Sequence, residues 1–228
     1  MTSSTRNLSK KLAFLPPGVG LFARRRFSEF MGLGFGMLAL ALCAALASYD
    51  PGDPSINTAV RAVPQNLIGI PGALIADLMI QSMGLASWLV GPVFVAWSWR
   101  LLVHRGLGRI WLRITATPIA VLLATMGLSV LPILNDWPLG AGLGGVTGDI
   151  LLADLAGLFA GINVSGNLIG GIAGAGAVMA AVTAMGLSAG EWRGMARYFG
   201  GLSRGILFRG RQSVDLGLKA ADAGRQIL

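Results

Sequence analysis

The residues with any capacity for chemistry are few, and the aspartates come first. Asp50 and Asp53 stand in the string SYDPGDPS, and Asp77 follows 24 positions later. Hard cations want several carboxylate oxygens, so these three define a conceivable calcium site. The plainer reading is local, because Asp before proline initiates turns and its carboxylate accepts nearby backbone N–H groups. His104 is the single histidine and Cys43 the single cysteine. Neither a metal cluster nor a disulfide framework can be built from them. HExxH, CxxC and the phosphate-cradling GxxxxGK[ST] do not occur in the chain. No catalytic, metal-binding or cofactor-binding residues are therefore assigned, and no cofactor is expected.

Composition explains what these residues must be held by. The 228 residues are 54% hydrophobic and 12% charged, with 34 glycines, whereas soluble domains carry roughly 25% charge. Apolar runs of about 20 residues suit a bilayer core about 30 Å thick. Four such runs predict an all-α membrane domain with spans over residues 30–47, 82–103, 114–134 and 168–187. The centres of these spans hold no ionisable group, which argues against a pump or an intramembrane enzyme. Ala45, Leu46 and Ala47 have the small-x-small form of a signal cleavage site, and Cys43 could suggest a lipoprotein. The long polar region ahead of them and the bulky Leu42 favour an uncleaved span.

Residues 1–28 read as a basic tail in which Pro16, Pro17 and Gly18 break any helix ahead of Arg24, Arg25 and Arg26. Pro51, Pro54, Pro64 and Pro71 mark an external loop after the first span. The loop ends in GALIADLMIQ, an amphipathic stretch expected to lie at the interface with Asp77 and Gln81 on its polar face. DILLADLAGLF plays the same part ahead of the fourth span. LIADL at 74–78 thus recurs as LLADL at 151–155, which suggests two repeated hairpins. Trp97, Trp99 and Arg100 are expected at headgroup level, and Pro118 is placed to bend the third span.

The net charge of +8 could attract nucleic acid, but its placement points to topology. Of the 18 Lys and Arg residues, all but Arg61 fall in the two terminal regions or the middle connector, and Asp50, Asp53, Asp77, Asp136, Asp149 and Asp154 fall opposite. Positive residues stay inside, so both termini are assigned to the cytoplasm. Gly32 and Gly36 stand four apart in the first span; Gly166, Gly170 and Gly174 form a ladder into the fourth. Small residues let helices approach closely in lipid, either within one chain or between copies in a homo-oligomer.

The order of Ser48, Asp50, Pro51, Asp53, Pro54 and Ser55, then Asn66, Gly69, Gly72, Ala76 and Asp77, placed between two spans, resembles the N-terminal four-helix membrane domain of the FtsK DNA translocase family. The resemblance covers about residues 24–195. It implies a bacterial inner-membrane anchor and oligomerisation domain at the division septum, serving cell division and chromosome segregation beside other divisome proteins. It also implies an ATP-driven motor, which is not in this chain and through which alone DNA would be contacted. Residues 29–190 are then the membrane domain, and 191–228 begin a linker. A small transporter subunit built from two hairpins is the alternative reading of the same spans.

Overall fold

The computed structural model describes residues 19–55, 63–133, 137, 139–162, 164–188, 190–194 and 197. Tail residues 1–18, Arg61, Asn135, Asp136, Pro138 and most of the expected linker lie outside the described residues. The described elements are all helical. They are α1 (Val19–Ala47), α2 (Ile70–Met83), a 3-10 stretch (Gly84–Leu89), α3 (Val90–Leu102), α4 (Ile110–Ser129), α5 (Gly145–Leu158), a short 3-10 turn (Ala160–Ile162) and α6 (Gly166–Met185). Four helical segments are long and apolar enough to cross a membrane: Val19–Ala47, Ile70–Leu102, Ile110–Ser129 and Gly166–Met185.

α1 is described from Val19 onward, so Arg24, Arg25 and Arg26 are helical rather than part of a coil. Later boundaries have local causes. α4 ends before Val130, Leu131 and Pro132, where the residue ahead of proline is pushed out of the helical region. Ser165 caps α6, its Oγ accepting the Leu168 N–H at 3.3 Å. The second crossing is composite, because α3 alone has 13 residues and spans only about 20 Å. The six residues of the 3-10 stretch add about 12 Å and complete the length.

The break between α2 and α3 is set by backbone contact. Gly84 has φ +56°, and the space a Cβ would take there is filled by the Leu143 carbonyl. The Leu85 N–H donates to that same carbonyl at 2.9 Å. Gly145, with φ +68°, lies on the opposite side of the junction against Ser82 and Gly84. The two hairpins therefore join backbone to backbone.

Span pairing follows the small residues. α1 packs along α3, α4 along α6, and α2 against α5. On α1, a side chain at Gly36 would meet Ser98 Oγ at 2.9 Å, and one at Gly32 would meet Leu102 at 3.0 Å. Ser98 Oγ donates to the Gly32 carbonyl at 2.6 Å, which is possible only at this close approach. On the second pair, a Cβ on Gly127 would stand 2.7 Å from Gly174 Cα and 3.3 Å from the Gly170 carbonyl. Gly170 faces Val130 and Met126, and Gly166 lies 3.9 Å from Ala156. Ala86, Val121, Ala124 and Ala177 form the core where these helices meet.

The two LxADL strings occupy unlike environments. Asp77 is buried, at 6% exposure, whereas Asp154 is exposed. The segment from Leu187 onward is a separate unit. Within it, the Ser188 N–H donates to Glu191 Oε2 at 2.6 Å and the Glu191 N–H to Ser188 Oγ at 3.3 Å, a reciprocal capping box that starts a helical turn.

The glycine contacts make a paired prediction. Gly36→Leu and Gly170→Leu should each lower the thermal unfolding temperature in detergent, by an overpacking penalty of about 1–3 kcal/mol. Gly34→Leu and Gly171→Leu, where nothing lies within 4 Å, should leave it unchanged. Equal effects in both pairs would show that these faces are not the packed ones.

Candidate functional site: the loop knot and the arginine end

The loop motif between Ser48 and Asp77 folds into a knot of hydrogen bonds around the C-terminus of α1. Asp53 is buried, and its two carboxylate oxygens accept the backbone N–H groups of Gln65 at 2.7 Å and Asn66 at 3.0 Å. Asn66 in turn donates its side-chain amide to the carbonyls of Ala45 at 2.8 Å and Ser48 at 3.3 Å, closing the end of α1. Ser48 Oγ donates to the Ala44 carbonyl at 2.7 Å and accepts the Leu67 N–H at 2.9 Å. Asp50 makes the expected turn, accepting the Gly52 N–H at 2.7 Å, with Pro51 and Gly52 exposed at its tip and Pro54 and Ser55 half-buried behind it.

The motif glycines are there for space and angle. Gly69 precedes α2 with φ +73°, and the position of a Cβ on Gly72 is occupied by Asn66 Oδ1. Asp77 closes the knot from α2, where its Oδ1 accepts from Gln81 Nε2 at 2.7 Å and from Tyr49 Oη at 3.1 Å. Burial pushes the Tyr49 phenol up to about 12; the Asp77 charge and hydrogen bond, then the Asp50 charge, add to this, while Gln81 opposes it. Beneath lie Ala45, Leu46, Ala76 and Ile80, with Leu42, Met79, Trp137 and Leu139 packed against them.

These carboxylates are occupied by the protein's own donors. Among the described residues, no group of three His, Cys, Asp or Glu is placed to hold a metal ion. Asp77 is not the water-facing residue that the amphipathic pattern of α2 suggests, because the polar face of that helix is turned inward onto Tyr49. On α5, Asp149 is likewise engaged, its carboxylate accepting the Gly142 N–H at 2.8 Å.

The opposite end of the bundle collects arginines. α6 ends at Gly186, with φ +57°, and leaves the carbonyls of Ala184, Met185 and Gly186 to be satisfied from outside the helix. Trp97 Nε1 donates to Ala184 at 2.8 Å, Arg113 Nη1 to Met185 at 3.2 Å and Nη2 to Gly186 at 3.3 Å, and Arg100 Nη1 to Gly186 at 2.9 Å. Arg100 also donates through Nε to Gly106 at 3.0 Å. Two guanidinium groups at the negative end of a helix dipole are electrostatically favourable as well. Trp97 and Arg100 are thus turned inward rather than outward to headgroups, and Trp97 meets Phe35 edge-on and Phe94 at a tilt. His104 Nε2 lies 3.1 Å from Glu29 Oε1, tying the connector to α1, and Glu29 also pairs with Arg26 at 2.7 Å.

The sequence signal for the loop knot was the motif itself. For the arginine end there was none beyond the basic charge of the connector, since Trp97 and Arg113 lie far in the chain from the end of α6 that they bond. Gly84, Gly127 and Gly145 likewise have no periodic signature.

An all-helical, multi-pass membrane domain, with its polar groups devoted to internal bonding, is the class that this arrangement defines. Residues 24–200 match the 4TM region of DNA translocase FtsK/SpoIIIE, and the chain belongs to that family. Proteins named DNA translocase FtsK are similar to it: that of Azospirillum brasilense is 31% identical over 93% of this chain and 35% of its own length. The Brucella suis biovar 1 protein is 34% identical over 87% of the chain and 21% of its own length. The Rhizobium meliloti protein is 38% identical over 58% and 15%. The chain spans about a third or less of the length of these relatives. No solved structure matches.

Two measurements test the knot. With Tyr198→Phe leaving Tyr49 as the sole tyrosine, tyrosinate absorbance should titrate near pH 12 rather than at the ordinary 10.0. The sign follows from linkage: the folded phenol keeps its proton where an unfolded one has lost it, so this contribution is complete below pH 10 and disappears as the pH rises through about 12. A midpoint at 10 would place Tyr49 in water. Separately, Asp53→Ala should cost about 1–3 kcal/mol by orphaning two backbone donors, and Pro51→Ala at the exposed tip should cost far less.

Proposed function

We propose that this chain is the membrane anchor of a DNA translocase working at the bacterial division septum, with no enzymatic activity of its own. The observation that carries the reading is the family match over residues 24–200, together with the polarity of the bundle. Arg24, Arg25, Arg26, Arg100, Arg105, Arg109 and Arg113 lie at one end of the spans and Asp50, Asp53, Asp77 and Asp149 at the other. By the positive-inside rule the arginine end faces the cytoplasm, and the loop knot faces outward. In this reading the ATP-driven motor is carried by a further part of the protein on the cytoplasmic side. DNA is contacted there and not by the anchor.

An anchor also sets effective concentration. Motor subunits that assemble around DNA gain from being held together in the membrane, which favours self-association of this domain. Gly170 and Gly174 already contact Gly127 and its neighbours inside one chain, so the contacts between copies are assigned to other faces of the spans. The exposed tip at Pro51 and Gly52 is the surface best placed to meet other division proteins outside the membrane.

Two arms test this reading. A fluorescent fusion of the full chain, expressed in its own bacterium, should concentrate at constricting septa; even membrane labelling would overturn the septal role. In a Cys43→Ala background, cysteine at Gly52 or Gly140 should react with an impermeant thiol reagent in intact cells, and cysteine at Gly108 should not. Labelling at Gly108 alone would invert the topology.

A further inference from the structure

Helix α2 has a surface unsuited to a water-exposed loop. Its buried face carries Gly72, Ala73, Ala76, Asp77 and Ile80. Its exposed positions are Ile70, Pro71, Ile75 and Leu78, and all four are apolar. Leu67, directly ahead, is 75% exposed. A helix on an aqueous surface turns its polar residues out and its apolar stripe in; α2 does the reverse. The same inversion holds on the first span, where Leu38 and Leu40 are exposed and the small Ala39 between them is buried.

Its position agrees. Ala76 and Ile80 pack on Ala45 and Leu46 of α1, so α2 lies beside the final turns of a spanning helix and not beyond its end. Carried on in line with α3, the segment Ile70–Leu102 of 33 residues would be about 50 Å long, well over the hydrocarbon thickness of about 30 Å. The backbone break at Gly84 removes that requirement. The apolar face of α2 is then continuous with the lipid-facing surface of α1.

We propose that α2, with Leu67 ahead of it, is seated in the acyl chains of the leaflet at the aspartate end of the bundle, its occupant being lipid and not a protein partner. The Tyr49–Asp77–Gln81 network lies on the inner side of this helix and is screened by it. The domain then displaces more lipid in that leaflet, where α2 accompanies the spans, than in the other.

The test uses the full chain, Cys43→Ala, reconstituted into phosphatidylethanolamine and phosphatidylglycerol vesicles, with a nitroxide spin label on a single cysteine at Ile75, Leu78 or Gly52. At Ile75 and Leu78, collisions with dissolved oxygen should exceed those with an aqueous nickel chelate by about tenfold, and the order should reverse at Gly52. Nickel dominance at Ile75 and Leu78 would put the face in water; low collision with both would mean protein covers it, a second copy included. Either result overturns the proposal. The extra fluorescence of Ile75→Trp over the parent chain with its six tryptophans, quenched by brominated acyl chains but not by aqueous acrylamide, gives an independent reading if a labelled variant misfolds. The measurement needs no septum, so its failure is separate from any failure of the localisation test.

Discussion

A polar group that leaves water inside a membrane must find its partner in the protein, and the arrangement of this chain follows from that cost. The helices satisfy their own backbones along their lengths, which leaves the ends as the places where sequence has to intervene. At one end Asn66 and Ser48 close the terminal carbonyls of α1. At the other, Trp97, Arg100 and Arg113 close those of α6. Ser48 bonds within its own helix end, but Asn66, Trp97, Arg100 and Arg113 come from elements distant in sequence, so with them finishing a helix and fixing its neighbour are one event. Among the described residues a single buried side-chain oxygen, Ser129 Oγ, lacks a partner.

Between the ends, lipid offers helices little reason to associate except close contact. The glycine and alanine content answers this directly. Ser98 reaches the Gly32 carbonyl because Gly32 and Gly36 let α3 approach, and α4 reaches α6 because Gly127 meets Gly174 with no side chain between them. At Gly84 and Gly145 the approach is closer still, and backbone bonds to backbone across the two hairpins. Larger residues would separate the helices and leave Ser98 and Leu85 without their acceptors, so packing and polar satisfaction are coupled.

The residues by which the chain resembles its family are therefore engaged in structure. Asp53, Asn66, Ser48, Gly69, Gly72 and Asp77 hold one loop to two helices, which gives that end of the bundle a defined shape. The tip at Pro51 and Gly52, closed by the local Asp50 turn, is exposed.

Four spans and the segregation of arginine from aspartate were legible in the sequence, because hydrophobic length and charge placement are local properties that a bilayer reads directly. So was the loop motif as a motif, through its fixed order of Asp, Pro, Asn and Gly. Three things were decided only by tertiary structure. The amphipathic pattern of α2 gives the same periodicity whichever face points in, and Tyr49, 28 positions away, decides that Asp77 is the buried side. The ladder at Gly170 and Gly174 suits a neighbour in either the same chain or another, and it is Gly127 of α4 that occupies it. Trp97 and Arg100 have the composition of a headgroup belt, yet the unsatisfied carbonyls at the end of α6, more than 80 residues later, turn them inward. In each case the sequence fixes which groups need a partner, and only the fold brings the partner within reach.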